Sequence, residues 1–527
     1  MEERRRIVWI LLPLVEKLQA CTSHVPRDRL PQADASCPLC RLFASVIVDP
    51  GTEDTPYQLI ACSSISSSHL MDEDQIVARG ARTWIKMSER AFLAVLPNSE
   101  MWSMRQGGHV CYYGAIYRSL QDFPELHDDV GIWGRQIGPQ LDFTLPRMWL
   151  SFCRQIHGEL CMAKKKVVPV VENFKVIDCA VDPPAIIARS WLEPYVALSY
   201  VWGSSQLEHS WPRVIQDAVE VTRGVGFRHL WVDRYCIDQN NPVEKDYLIS
   251  RMTAVYAGAE LTIIAAAGSD ASVGLPGVGT TPRRPQPECK VPSSNGGFNL
   301  VSIMRDPKLT IRSSVWNSRG WTYQEGVLSA RRLVFTPRQV YWECGCLTAQ
   351  ETVSLPLSLL HIPNDDRNCC FRKKSPTRMN GHFMRHGIFG DDTWQGEMPF
   401  TKPEVNSSEY IGQLINHMRS YSLKDLTYDS DSLQAFQGIF ESYCSRPNSV
   451  VKHILGIPVL TRTASRSSRV PVVMCSFAIG LCDWAHRFDL LFYDYKYDSR
   501  RPESYSDVRR HTHLPSWTWA GWRGELH

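Results

Sequence analysis

The stretch Tyr195–Gly203, YVALSYVWG, decides how the rest of the chain is read. Val196, Leu198 and Tyr200 alternate with Ala197, Ser199 and Val201, a period of two among β-forming residues, which predicts a buried strand. The strand runs out into Trp202 and Gly203, where a glycine lets the backbone turn sharply and approach a ligand. An aromatic beside a permissive glycine at a strand exit marks a candidate binding rim. A core strand followed by an ordinary turn has the same sequence.

Working outward, Phe174–Ala180 predicts a leading strand, and Leu207–Val221 a helix whose start Pro212 restricts. Residues 229–241, HLWVDRYCIDQNN, predict a second buried strand that carries Asp233 and continues through Ile237 into a polar turn. Asn241-Pro242-Val243-Glu244 is a helix start, with Asn as cap, Pro at the first position and Glu placed to bond back. Leu248, Met252, Val255, Tyr256 and Ala259 then share one helical face, ended at Gly258. Glu260–Ala267 predicts a third strand. Strand alternating with helix argues for the α/β class, with a parallel sheet and right-handed crossovers. Residues 274–307, rich in Pro, Gly, Arg and Ser, read as an inserted surface loop. A helix follows from Trp316, and then a hairpin in RLVFTPRQVYWEC around Thr336-Pro337-Arg338.

A chain of 527 residues suggests roughly three domains. Residues 1–165 read as a mainly helical N-terminal region, 166–345 as the α/β unit, and 346–527 as a mixed α+β region. The hydrophobic fraction of 43% and charged fraction of 21% are those of a globular protein. A net charge of +3 is near balance and argues against a nucleic-acid partner. No run approaches the ~18 apolar residues of a membrane span. The 17 cysteines are odd in number and scattered, which predicts reduced, buried thiols and a cytoplasmic location. Ile7–Val15 after Arg4–Arg6 reads as a buried helix rather than a signal sequence, because Pro13 interrupts the run.

The P-loop, HExxH and GxSxG motifs are absent. What remains is a set of polar residues where parallel strands end: Asp233, Asp238 and Gln239 after the second strand, Ser269 and Asp270 after the third, and Arg319 and Glu325 opening the later helix. Ligands of open α/β sheets bind beyond the carboxyl ends of strands. A carboxylate, an arginine and aromatic walls there suit a sugar-like or nucleotide ligand. A structural ion pair between Asp233 and Arg319, with Gln239 capping a turn, explains the same residues. Elsewhere, Cys153, His157 and Cys161 recur every four residues on one helical face, and Cys37-Pro-Leu-Cys40 is a C-x2-C pair. A tetrahedral zinc site would take Cys37, Cys40, Cys153 and His157. Core thiols with a satisfied histidine are the alternative.

YVALSYVWG, LWVDRYCIDQNN with MTAVYAGAELTIIAAAG, and SRGWTYQEGVLSARRLVF together resemble the three signature blocks of the fungal heterokaryon incompatibility (HET) domain, over about residues 195–345. The Trp149-Leu150, Cys153, His157, Cys161 pattern and Pro515-Ser-Trp-Thr-Trp-Ala-Gly521 resemble blocks that flank such domains. The chain stops soon after the latter, so a further C-terminal segment is expected to be missing. The resemblance implies a fungal intracellular protein of nonself recognition and programmed cell death, an innate-immunity role with protein partners and a homo-oligomer formed through the HET domain. It also implies a TIR-like, flavodoxin-like parallel sheet. Some TIR domains cleave NAD at the nicotinamide–ribose bond with a glutamate in a W-x3-E arrangement, and Trp321 and Glu325 have that spacing. By that resemblance Glu325 is the catalytic residue, stabilising positive charge on the ribose of a nucleotide substrate. Trp202, Gly203, Asp233, Gln239, Arg319 and Trp321 would then bind the ligand. A catalytically silent interaction module and a zinc-stabilised regulator are the rival readings.

Overall fold

The computed structural model describes residues 133–162, 170–203, 210–292, 297–345 and 347–355, together with 38–45, 57–63, 91–97, 115–122, 357, 387–389, 407–444, 451–454, 456–460, 509–510 and 522–523. Its centre is an eight-stranded sheet. The strands are β1 Lys175–Asp178, β2 Ala185–Ala188, β3 Val196–Ser199, β4 His229–Trp231, β5 Leu261–Ala265, β6 Arg331–Phe335, β7 Val340–Cys344 and β8 Thr348–Gln350, in the order β8-β7-β6-β5-β3-β4-β1-β2. The four central strands, β6-β5-β3-β4, are mutually parallel. Every residue of β3, β5 and β6 is buried, as expected for parallel strands covered on both faces.

The edges of the sheet are antiparallel, on one side as the expected hairpin around Thr336-Pro337-Arg338 requires. β7 and β8 continue antiparallel beyond β6, and β1 and β2 continue antiparallel beyond β4. Where the connection is short the chain can return only antiparallel, as at Thr336–Gln339, closed by the Thr336 N–H on the Gln339 carbonyl at 3.2 Å. The sheet is therefore mixed, with a parallel middle.

The helices are α1 Thr144–Phe152, α2 Arg213–Gly224, α3 Pro242–Ser250, α4 Met252–Gly258, α5 Gly320–Leu328, α6 Ser407–Ser422 and α7 Gln434–Cys444. α3 starts where the sequence says: Asn241 Oδ1 accepts from the Glu244 N–H at 3.2 Å, a cap that contributes about 1 kcal/mol. Glu244 does not bond back to the cap but meets Lys175 Nζ on β1 at 2.8 Å. The single helix expected beyond it is broken at Arg251, whose φ of −102° and ψ of 3° leave the helical region. α4 can then bury Met252, Ala254, Val255, Tyr256 and Ala257.

The segment read as an inserted loop holds a hairpin, Glu288–Val291 with Phe298–Ser302. The hairpin completes an antiparallel five-stranded sheet with Ala115–Arg118, Ala91–Pro97 and Tyr57–Ser63. The N-terminal region, expected to be mainly helical, thus supplies three strands. Tyr57–Ser63 pairs with Ala91–Pro97 and Ala91–Pro97 with Ala115–Arg118, while Ala115–Arg118 takes its other partner, Phe298–Ser302, from far along the chain. α6 and α7 pack Leu414, Met418, Tyr421, Phe436, Ile439 and Phe440 into a second core that also takes Val327 of α5. Ile7–Val15 and Pro515–Gly521 lie outside the described residues. Among the described residues no helix is long and apolar enough to cross a membrane.

Candidate functional site

Two carboxylates lie near the carboxyl ends of β3 and β4, close enough for the charge of Asp233 to act on Glu325. β4 stops sooner than expected: Asp233 Oδ1 accepts the next backbone N–H, of Arg234, at 2.7 Å, and the chain enters a helical turn, Asp233–Cys236, instead of continuing as strand through Ile237. Asp233 Oδ2 accepts from the Trp202 indole N–H at 2.9 Å, which ties the exit of β3 to the exit of β4. The Arg234 guanidinium lies 5.6 Å from the Trp202 ring centre, over its face.

Glu325 comes from α5, which packs across the end of β3. Ser199, the last residue of β3, donates its hydroxyl to Glu325 Oε2 at 2.5 Å and accepts the Trp316 indole N–H at 2.7 Å. The Tyr256 hydroxyl, which donates to the Leu198 carbonyl at 3.2 Å, lies against the same carboxylate. Glu325 is almost dry, at 5% exposure, while Trp202 and Asp233 are half-buried. Access to the pair therefore lies on the Trp202 side.

Burial pushes Glu325 up to about 7, and the nearby charge of Asp233 adds to the push; the Ser199 hydroxyl and the charge of Arg319 pull it part of the way back. Burial likewise raises Asp233 to about 6 against the Arg234 N–H and the Trp202 indole. Two neighbouring carboxyls that exchange protons near neutral pH are suited to general acid and base chemistry, or to stabilising a cation that forms between them.

Gly203 has a φ of +69°, and a Cβ there would stand 2.5 Å from Asp270 Cβ. The residue is therefore fixed by the backbone turn and by the close approach of the loop after β5. Gln239 does not face the pair: its amide donates to the Asp233 and Ile237 carbonyls at 3.4 and 3.2 Å and locks the Asp233 turn, as in the capping alternative. Trp321 also departs from the expectation of a ligand wall. Its indole N–H meets Asp431 Oδ2 at 3.1 Å, and the ring packs with α6 and α7. The four-residue step from Trp321 to Glu325 is just over one helical turn, yet the first points to the C-terminal helices and the second to β3. Ser199, Tyr256 and Trp316 were not singled out. The one available signal was a lone hydroxyl at the end of an otherwise apolar strand.

A second cluster lies at the other end of the sheet. Cys153, His157, Cys161 and Cys344 are all buried, their ligand atoms lie within 4.8 Å of one another, and the four could hold zinc. Cys153 and His157 were expected in such a site, but their companions here are Cys161 and Cys344. Cys37 lies outside the described residues, as does the side chain of Cys40 in helix Pro38–Ala44.

A parallel-centred α/β sheet with polar groups gathered at its strand ends defines an α/β domain with a site in the usual place. Residues 195–325 match the family model of the heterokaryon incompatibility protein (HET), from the start of YVALSYVWG to Glu325 itself. The match, over about a quarter of the chain, supports a HET domain in this stretch and suggests a function related to heterokaryon incompatibility. No curated protein and no solved structure matches the chain.

Proposed function

We propose that the chain acts in heterokaryon incompatibility as a nonself-recognition and cell-death signalling protein, whose HET domain self-associates and cleaves NAD at the nicotinamide–ribose bond. The observation that carries the catalytic part is the Asp233–Glu325 pair, gathered by Ser199 and Trp202 at the ends of two parallel strands. The central order, with the first parallel strand flanked by the second and the third and the fourth beyond the third, supports a flavodoxin-like and TIR-like reading. The ribose would enter beside Trp202, with the indole as a stacking face. As the bond to nicotinamide breaks, ionised Glu325 would offset the positive charge on the sugar, and Asp233 would take the proton of the attacking water.

The test is free nicotinamide after incubating the purified full chain with NAD. We expect release, and a fall of about 100-fold or more in Glu325→Gln, which keeps an acceptor for the Ser199 hydroxyl. No release from folded, oligomerised protein, or unchanged release in Glu325→Gln, overturns the catalytic reading. A specific observation favours a second reading, an interaction module: α5 is gripped by the C-terminal helices through Trp321 and Val327, so the domain is also built as a contact platform. That reading predicts toxicity that survives Glu325→Gln.

A further inference from the structure

We propose that Cys153, His157, Cys161 and Cys344 form a closed structural zinc site that staples the segment after α1 to the amino-terminal end of the sheet. The backbone argues for it first. On a straight α-helix, residues 153 and 161 would stand ~12 Å apart along the axis and could not share one ion. Here α1 stops at Phe152, Cys153–His157 form a widened turn, Gly158 turns the chain with a φ of +49°, and Gly158–Cys161 form a tighter turn. The ligands fold back towards one point. No Cβ contact within 4 Å demands a glycine at 158, so the turn itself is what the residue serves.

The chemistry argues for it second. The 3.4 Å between His157 Nδ1 and Cys344 Sγ is near the ~3.6 Å edge of a tetrahedron with zinc–sulfur and zinc–nitrogen bonds of ordinary length. Thiolate and imidazole ligands in a tetrahedron select zinc. Three thiolates and one imidazole leave the centre with a net single negative charge. Arg331, buried at the start of β6, aims Nε at Cys153 Sγ from 3.2 Å, while its Nη1 holds the Glu260 carbonyl at 3.0 Å. The same Nη1 also lies 3.3 Å from Glu260 Oε2, so Arg331 is shared between that carboxylate and the sulfur, and the donor it offers to sulfur suits a thiolate centre. With four protein ligands no position remains for substrate, so the ion is structural.

Metal content of the full chain, purified without chelator, tests this independently of nicotinamide release. We expect about one equivalent of zinc per chain, and after cobalt exchange the visible and near-ultraviolet bands of a tetrahedral centre with three thiolates. The double variant Cys161→Ser, Cys344→Ser should lose the ion. Cys179→Ser, a buried thiol outside the cluster, should keep it. Less than about a tenth of an equivalent in folded protein overturns the proposal. So does a full equivalent retained by the double variant, which would move the ion to Cys37 and Cys40. If the double variant does not fold, the cobalt spectrum of the unaltered chain decides: an octahedral or oxygen-rich spectrum overturns the assignment.

Discussion

The two ends of the central sheet are built on opposite principles. At the carboxyl ends of the parallel strands, Asp233 and Glu325 are two like charges pushed towards neutrality by burial, with Trp202, Asp233 and Gly203 half-buried or exposed. At the amino ends, where Arg331 pairs with Cys344 in the ladder, sulfur, imidazole and guanidinium are complementary and closed off from water. The first arrangement costs stability and keeps a proton mobile. The second, with the proposed ion in place, would add stability and keep nothing mobile. On these two proposals, one sheet separates a reactive end from an anchoring end, and the difference can be attacked from either side.

The largest effect at the reactive end is expected from Glu325→Gln measured against pH. The folded value of about 7 lies above the ordinary 4.5, so the fold favours the protonated form. That contribution is complete below about 4.5, declines as pH rises, and is gone above about 7. The variant should therefore gain on the unaltered protein by roughly 3 kcal/mol between pH 5 and 8 in urea unfolding. A flat difference would place Glu325 in water and dissolve the contrast between the two ends. Gly203→Ala should cost roughly 2 kcal/mol, from its positive φ and from Asp270, read as a lower unfolding midpoint. Smaller still, Trp202→Phe removes one donor from Asp233, and the carboxyl should titrate about one unit higher by NMR. An unmoved titration would mean that the indole does not hold the pair.

The parts of the fold that were legible are those in which local pattern and tertiary packing agree. YVALSYVWG, the Asn241 cap and the hairpin at Thr336 follow from period and turn chemistry over a few residues. Asp233 could be singled out because a carboxylate beside an apolar run is locally conspicuous, and Glu325 through the family resemblance that gives it the W-x3-E spacing. What stayed hidden depends on distant segments. Cys344 joins Cys153 across 191 positions of sequence, and Trp321 is claimed by Asp431, which no spacing rule foretells. The break at Arg251 and the early end of β4 were missed for another reason: continuing a pattern is the natural extrapolation, and in both places a single residue leaves it.

The seat of α5 has a further consequence. Its first residue is hydrogen-bonded to the Asp425 carbonyl at 2.7 Å, Lys424 Nζ holds the Asn317 carbonyl at 2.7 Å, and Trp321 holds Asp431. The stretch between α6 and α7 thus grasps the rod whose inner face bears Glu325. Any partner that pulls on those C-terminal helices has a lever on the acid one turn away, and recognition and chemistry would share a single moving part.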